Sequence, residues 1–434
     1  MSASAWRRRC CSSRAMACRP SISSMCAKCA RAGAARPVCR EAAVAATDGR
    51  RVLSIARALG AGLRRVMAVL RRQPRSAVQA AGLLGGALAS GVAGAAPTLP
   101  EDRADAMLHV YEGGGLKAYG PAFLVRKKLG ENLSLSANYY VDIVSNASID
   151  VVTTASPYKE TRNEYIFAAD YVVRDATLSV STSHSKEPDY IADATSVDVA
   201  QEVFGGMTTL SLGFTRAEDK VGRKNDGFFD HAVHWRYRLG LTQILSPTWL
   251  ASVNWEAVAD DGFLGSPYRV ARAFGAAVPE RNPRTRSSRA IKFRVLGEVK
   301  PGHAVRAEYR YFWDNWQIKA HTTELGYSRH IDELWLVDWY GRYYTQGKAL
   351  FYSDNATSAT TYLSRNRQLA TFKSMSLGAK MAYTLKRVPG SYDLKLNVAV
   401  ERISFKFSDF TDIRTGQAYK HDANVVQVFL TANF

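Results

Sequence analysis

Residues able to do chemistry are sparse in this chain, and their spacing disposes of most of them. Cys26-Ala-Lys-Cys29 has the spacing of a metal or redox pair. A zinc site would need a second such pair, and Cys10, Cys11, Cys18 and Cys39 do not supply one. His231 and His234 are three apart, so on a strand they face opposite sides and cannot share a metal ion. The same parity separates Ser183 from Lys186 and weakens a Ser/Lys pair. Asp219, Asn225 and Asp226 offer oxygens for Ca²⁺, but solvated loop acids have the same composition. Beyond residue 96 there is no GxSxG, HExxH or P-loop motif. No catalytic residue, metal site or cofactor is assigned, and the expectation is a protein that is not an enzyme.

Two polar stretches are better candidates. Residues 145–162 hold Ser148, Asp150, Thr153, Thr154, Ser156, Tyr158, Glu160 and Arg162 around an apolar Val151-Val152 pair. A long connection with its own apolar residues can fold into a pore as a constriction. Residues 261–287 hold Arg269, Arg272, Arg281, Arg284 and Arg286. Clustered arginines at a pore mouth attract anions. The alternative is that they pair with nearby acids or with lipopolysaccharide at a barrel rim.

Placing such stretches requires a scaffold, and the periodicity supplies one. From residue 96 onward the chain is a series of segments of about ten residues with alternating polarity, separated by turn residues. Leu133, Leu135, Ala137, Tyr139 and Val141 interleave with Ser134, Ser136, Asn138 and Asp142; Leu377, Ala379, Met381 and Tyr383 interleave with Lys380 and Thr384. Sixteen strands are expected, with fourteen the alternative count. They fall near 103–112, 119–128, 133–144, 163–174, 176–186, 193–203, 207–217, 230–244, 248–260, 288–300, 303–314, 317–330, 334–346, 373–387, 391–407 and 423–434. Short connections, such as Gly130-Glu131-Asn132, Pro301-Gly302 and Pro389-Gly390, alternate with longer ones at 145–162, 218–229, 261–287, 347–372 and 408–422. A soluble sandwich shows the same alternation within strands but has no reason to keep that parity of connections. The fold class is therefore all-β, a transmembrane antiparallel up-and-down β-barrel. Its charged parity must face the lumen, because a basic side chain in the lipid midplane would cost roughly 2–4 kcal/mol. Tyr139, Tyr140, Trp235, Trp249, Trp255, Trp313, Trp335, Trp339, Tyr343 and Tyr344 are expected in interfacial girdles.

The formal charge of +19 does not belong to this barrel. Residues 1–95 carry 17 basic and 2 acidic side chains, leaving 41 and 37 on residues 96–434, a net of +4. A nucleic-acid partner loses its support. All six cysteines also precede residue 40. Residues 1–66, rich in Arg, Ala, Ser and Cys, read as a disordered or non-native leader. Residues 67–95 have the layout of a signal peptide, with Arg71, Arg72 and Arg75 before a small apolar run and Ala93-Gly94-Ala95 as the cleavage motif. The expected mature domain is 96–434, exported without cysteine.

The final strand, Asn424 to Phe434, resembles the assembly signal of bacterial outer-membrane barrels, which implies recognition by the barrel-assembly machinery with Phe434 as its terminal aromatic. Several further stretches, His109-Val-Tyr-Glu-Gly-Gly-Gly115, Gly120-Pro-Ala-Phe-Leu-Val-Arg126, Ala147-Ser-Ile-Asp-Val-Val-Thr-Thr-Ala-Ser-Pro-Tyr158, Gly265-Ser-Pro-Tyr-Arg269 and Trp316-Gln-Ile-Lys-Ala-His321, resemble a bacterial family designated domain of unknown function 3570. The resemblance runs over the expected mature chain. It implies an exported outer-membrane barrel in contact with lipid and lipopolysaccharide, and brings no activity. On the residues alone the expectation is a porin-like channel for small polar solutes, with Asp150, Thr153, Thr154, Tyr158, Glu160 and Arg162 at the constriction and Arg269, Arg284 and Arg286 biasing it toward anions. A non-conducting scaffold for a periplasmic or surface partner is the alternative, and a barrel-embedded enzyme a third class. The oligomeric state is left open.

Overall fold

The computed structural model describes residues 97–146, 148, 158–223, 227–358 and 360–434. The first nine strands are β1 (Arg103–Gly113), β2 (Leu116–Leu129), β3 (Leu133–Asn146), β4 (Tyr158–Val173), β5 (Ala176–Lys186), β6 (Tyr190–Val203), β7 (Thr208–Gly222), β8 (Phe229–Ser246) and β9 (Trp249–Gly262). A small hairpin follows, β10 (Val270–Ala273) and β11 (Ala276–Pro279). The chain continues with β12 (Thr285–Lys300), β13 (His303–Asp314), β14 (Lys319–His330), β15 (Trp335–Gln346), β16 (Phe372–Val388), β17 (Tyr392–Asp412) and β18 (Gln417–Asn433). All except β10 and β11 form one closed antiparallel barrel of sixteen strands in sequence order. It closes where β1 pairs with β18, from Arg103↔Asn433 to Gly113↔Ala423. The leader and signal peptide expected in residues 1–95 lie outside the described residues.

Both barrel termini and most of the short turns share one end, the two-residue β1–β2 turn at Gly114-Gly115 lying at the other. At the shared end Gly130 and Gly302 sit in the left-handed region, φ 76° and 75°, which a tight turn demands and a side chain resists. Short turns mark the periplasmic end of such barrels and long loops the outer end.

Alternation sorts the two faces as expected. Leu325, Leu377, Leu212 and Phe167 project outward, 56–63% exposed to what in the membrane is lipid. The facing side of the wall is charged. The Arg306 guanidinium reaches Glu324 at 3.1 Å and Asp338 at 3.6 Å, Arg294 binds Glu308 at 3.0 Å, and Arg342 binds Glu324 at 2.9 Å. Phe429, on the inward parity of β18, is a lumenal residue too: the Lys380 ammonium lies 5.4 Å over its ring.

Glycines on the lumenal face let long side chains bridge two strands. Asp198, Gly213 and Arg238 stand in one row across β6, β7 and β8. A Cβ on Gly213 would lie 2.1 Å from the Asp198 carboxylate, so only glycine leaves room for Arg238 to grip that carboxylate at 2.8 and 2.9 Å. Tyr340, Gly378 and Glu401 repeat the device across β15, β16 and β17, with the Tyr340 hydroxyl donating to Glu401 over 2.9 Å.

Three expectations need correction. The strands extend further outward than the alternation shows: β4 starts at Tyr158, β7 runs to Gly222, and β17 and β18 leave only a short turn of the expected 408–422 loop. Beyond the bilayer neither face of a strand needs to be apolar, so pairing persists after the hydrophobic period has faded. Tyr158, Glu160 and Arg162 therefore stand on a strand, not in a loop, and so does Asp219. Second, Tyr140 and Tyr344 belong to the lumen rather than to the girdles. Tyr140 stacks on His109 with ring centroids 4.6 Å apart, and the Tyr344 hydroxyl donates to Gln346. Their neighbours Tyr139 and Tyr343 take the lipid side by parity. Third, the 261–287 connection is partly ordered as the β10–β11 hairpin.

Candidate functional site

Two interlocked loops pack at the outer end of the lumen. The sequence there breaks the polar parity: Phe312, Phe372, Phe405, Phe407 and Tyr419 are aromatic residues on inward positions. They meet Trp316, Ile318, Ala349, Tyr352, Leu369, Ala370 and Phe410 in a cluster whose Ala349, Ala370 and Phe410 have no solvent exposure. The loop of residues 347–371 is thereby turned inward and held by polar contacts. The Gln346 side-chain amide donates to the carbonyls of Gln368 and Ala370 at 2.9 and 2.8 Å. Arg365 pairs with Asp354 at 2.8 Å, donates to the Thr411 carbonyl and stacks 4.3 Å over Phe410. Further in, Arg367 is close enough to Tyr111 of β1 and His421 of β18 to act on both electrostatically. The β10–β11 segment locks onto this loop through paired backbone bonds between Arg281 and Leu363, and through Phe274 N–H to the Ala356 carbonyl.

Beside these loops lies a cavity of about 530 Å³. One wall is acidic. The His234 ring is held between Asp260 at 2.7 Å and Asp219 at 3.0 Å, and the Tyr190 hydroxyl donates to Asp219. The lining also includes Arg269, Arg286 and Arg310, the aromatic residues Phe312, Trp316 and Tyr344, and the amides of Asn282, Asn366 and Gln368; Arg286 is the register partner of Asp260 on the neighbouring strand. Such a site can hold a small planar solute bearing separated charges.

The sequence-derived residues distribute unevenly around it. Asp150, Thr153 and Thr154 lie outside the described residues, as do Asn225 and Asp226. Tyr158 opens β4 opposite Asn146. Arg162 faces the lumen, donating to Ser185 at 2.9 Å and pairing with Glu164 at 2.7 Å. Glu160 brings a carboxylate within 4.8 Å of those of Glu187 and Asp189. Burial is the largest influence on Glu187, in the β5–β6 connection, and raises its pKa. Arg284 is bidentate on Asp230 at 2.7 and 2.9 Å, and Arg286 binds Asp314 at 2.7 Å while stacking 4.7 Å over Trp316. Arg269 lines the cavity, and its guanidinium has no partner among the described residues. Asp219, considered as a Ca²⁺ ligand, is instead committed to His234 and Tyr190. His231 and His234 do separate by parity: His231 is exposed on the outer face, His234 is in the lumen. The Asp219–His234–Asp260 cluster carries no motif in the sequence, because Asp219 reaches His234 diagonally across the sheet. Its signal was available only as three inward-parity residues on adjacent strands.

The sequence profile of the family described as Protein of unknown function (DUF3570) matches residues 149–404. The chain belongs to this family. The match takes in both loops at the outer mouth and every residue of the cavity wall, while His109–Gly115 and Gly120–Arg126 fall before it. No curated protein matches the DUF3570 chain. Among solved structures it is similar to the siderophore receptor PirA from Pseudomonas aeruginosa, at 13% identity and TM-score 0.41, over 72% of this chain and 60% of the receptor's length. It is also similar to the toluene transporter TbuX of Ralstonia pickettii, at 10% identity and TM-score 0.36, over 77% and 90% of the two chains. A Pseudomonas aeruginosa FadL homologue gives 10% identity and TM-score 0.38 over the same shares. These are likenesses of fold. A closed barrel with an even number of strands, an apolar exterior and short turns at one end makes this DUF3570 protein a bacterial outer-membrane protein.

Proposed function

We propose that the barrel is a solute channel whose outer vestibule selects small polar molecules carrying a carboxylate. The observation that carries this reading is the cavity itself, where Arg269 lines the same space as Asp219, His234 and Asp260 and the aromatic Phe312 and Trp316, at the loop-covered outer end of a charged lumen. In this reading the anion preference expected of Arg269, Arg284 and Arg286 reduces to Arg269. The other two are neutralised by Asp230 and Asp314 and serve to fix the loop ends. Glu160 and Arg162 contribute to the lumenal wall.

The test is single-channel recording of refolded residues 96–434 in a planar bilayer under a salt gradient. Arg269→Gln is expected to lower the anion-to-cation permeability ratio severalfold, since one elementary charge in a low-dielectric mouth shifts local ion concentration by about that factor. Arg284→Gln and Arg286→Gln are expected to leave the ratio near that of the parent protein. Equal ratios for the parent and Arg269→Gln sink the proposal.

A non-conducting scaffold is the second reading, favoured by the complete burial of Ala349, Ala370 and Phe410 inside the mouth. Against an enzyme stands the engagement of both His234 ring nitrogens by carboxylates, which leaves neither to activate a nucleophile.

A further inference from the structure

On the outer wall, β16, β17 and β18 place three lysines in one row. Lys373 stands directly opposite Lys406, and Lys406 directly opposite Lys420. Their neighbours Phe372, Phe405, Phe407, Tyr419 and His421 point inward, packed on one another, so all three lysines point outward. All are exposed, and none has an acidic partner among the described residues. Adjacent strands are about 4.8 Å apart, so the row concentrates three ammonium groups within roughly 10 Å. Like charges directly opposite are destabilising in a sheet. Other charges on the same face are neutralised by neighbours: Arg402 binds Asp422 at 2.6 Å, His184 binds Asp193 at 2.7 Å and Arg216 pairs with Glu218.

The position of the row says what neutralises it. On β16, Lys373 follows directly on Met375 and Leu377, which are 56% and 61% exposed on the lipid-facing side. The row thus begins at the outer edge of the apolar band and continues outward along β17 and β18. A group meeting it there is attached to the membrane, is anionic, and carries its charge just above the acyl chains. A lumenal solute never reaches this face.

We propose that Lys373, Lys406 and Lys420 form a binding site for the phosphates of a glycolipid in the outer leaflet. One phosphate bridges Lys406 and a neighbouring lysine, and the acyl chains lie along Leu377, Val400 and Val426. Ammonium groups suit this role as point charges on flexible stems, which adapt to a phosphate without a fixed geometry.

The test uses the full barrel in phosphatidylcholine nanodiscs, with fluorescent bisphosphorylated lipid A as probe. A lysine near an anionic surface contributes about 1 kcal/mol, or about fivefold in affinity. Lys406→Gln is expected to weaken lipid A binding about fivefold, and the triple Gln variant on the order of 100-fold. In phosphatidylcholine alone the variants are expected to unfold at or above the parent's midpoint, because repulsion is relieved. That comparison also shows that they fold. Dephosphorylated lipid A is expected to bind the parent no better than the triple variant. Undiminished lipid A binding by the triple variant overturns the proposal, as does equal binding of the dephosphorylated probe. Protection of the parent by inorganic phosphate alone, equal to that by lipid A, overturns the assignment to a lipid.

Discussion

At the residue scale, the lumenal glycines show how one missing side chain organises three strands. Gly378 carries Tyr340 across its bare face to Glu401, and a Cβ there would sit 2.3 Å from the Tyr340 ring. Gly378→Val must therefore expel that ring and leave the Glu401 carboxylate without its hydroxyl donor. Overpacking costs about 1–3 kcal/mol and a lost hydrogen bond to a charged group adds to it. The expected result is a fall of that size in unfolding stability by urea titration in micelles. Gly341→Ala is the control: a Cβ there meets the end of Leu377 at 3.3 Å, which can move on the lipid side, and the Ser376 carbonyl at an ordinary 3.9 Å. Equal losses for the two variants would show that the Tyr340–Glu401 bridge contributes nothing. Such glycines were visible in the sequence only as interruptions of a strand pattern. What makes Gly213 and Gly378 structural is the pair of residues flanking each in register, and register is a product of the folded sheet.

At the element scale, the sequence made strands legible wherever lipid imposed a period and lost them where it did not. Leu377, Ala379 and Met381 alternate because one face must be apolar. Lys159, Glu160, Thr161 and Arg162 form the same kind of strand with no apolar residue, so nothing local distinguishes them from a loop. The aromatic breaks in parity at Phe405 and Phe407 carried the opposite information, that apolar side chains pack inside the barrel there. The seam between the first and last strands, paired from Arg103↔Asn433 to Gly113↔Ala423, is reinforced at its periplasmic end by a few further contacts. Asp102 accepts the Lys127 ammonium at 2.5 Å and the Lys128 N–H at 2.6 Å, and its backbone carbonyl accepts the N–H of Phe434. Lys127 also lies 5.1 Å over the Phe434 ring. Asp102→Ala leaves the backbone bond but frees Lys127, at a cost of about 1–2 kcal/mol for the lost charged hydrogen bonds. Hydrogen exchange is expected to quicken at the periplasmic ends of β1 and β18 and stay unchanged in β8 and β9. A uniform acceleration around the barrel would show that Asp102 acts on the whole sheet and not on its seam.

At the scale of the whole molecule, one chain combines a polar-lined tube with an apolar cluster at its outer end. The wall is charged on the inside almost throughout, as a wet lumen allows, yet at the outer end it presents aromatic residues to the loops. Those aromatics could not face water in such number without cause, and the loop of residues 347–371 covers them. It is tied at both ends of the same hydrogen-bonded pair, since Gln346 and Phe372 are register partners. Replacing residues 349–369 with a short Gly/Ser linker would therefore leave the barrel's own pairing intact while removing Leu369, Ala370's neighbours and the Arg365–Asp354 clamp. The altered barrel is expected to keep its heat-modifiable fold, to lose about 2–5 kcal/mol from the exposed cluster, and to conduct severalfold more current per channel than the parent. Equal conductance in the two proteins would mean that this loop does not narrow the path. A silent parent with a conducting variant would identify a stopper that something outside the barrel must displace.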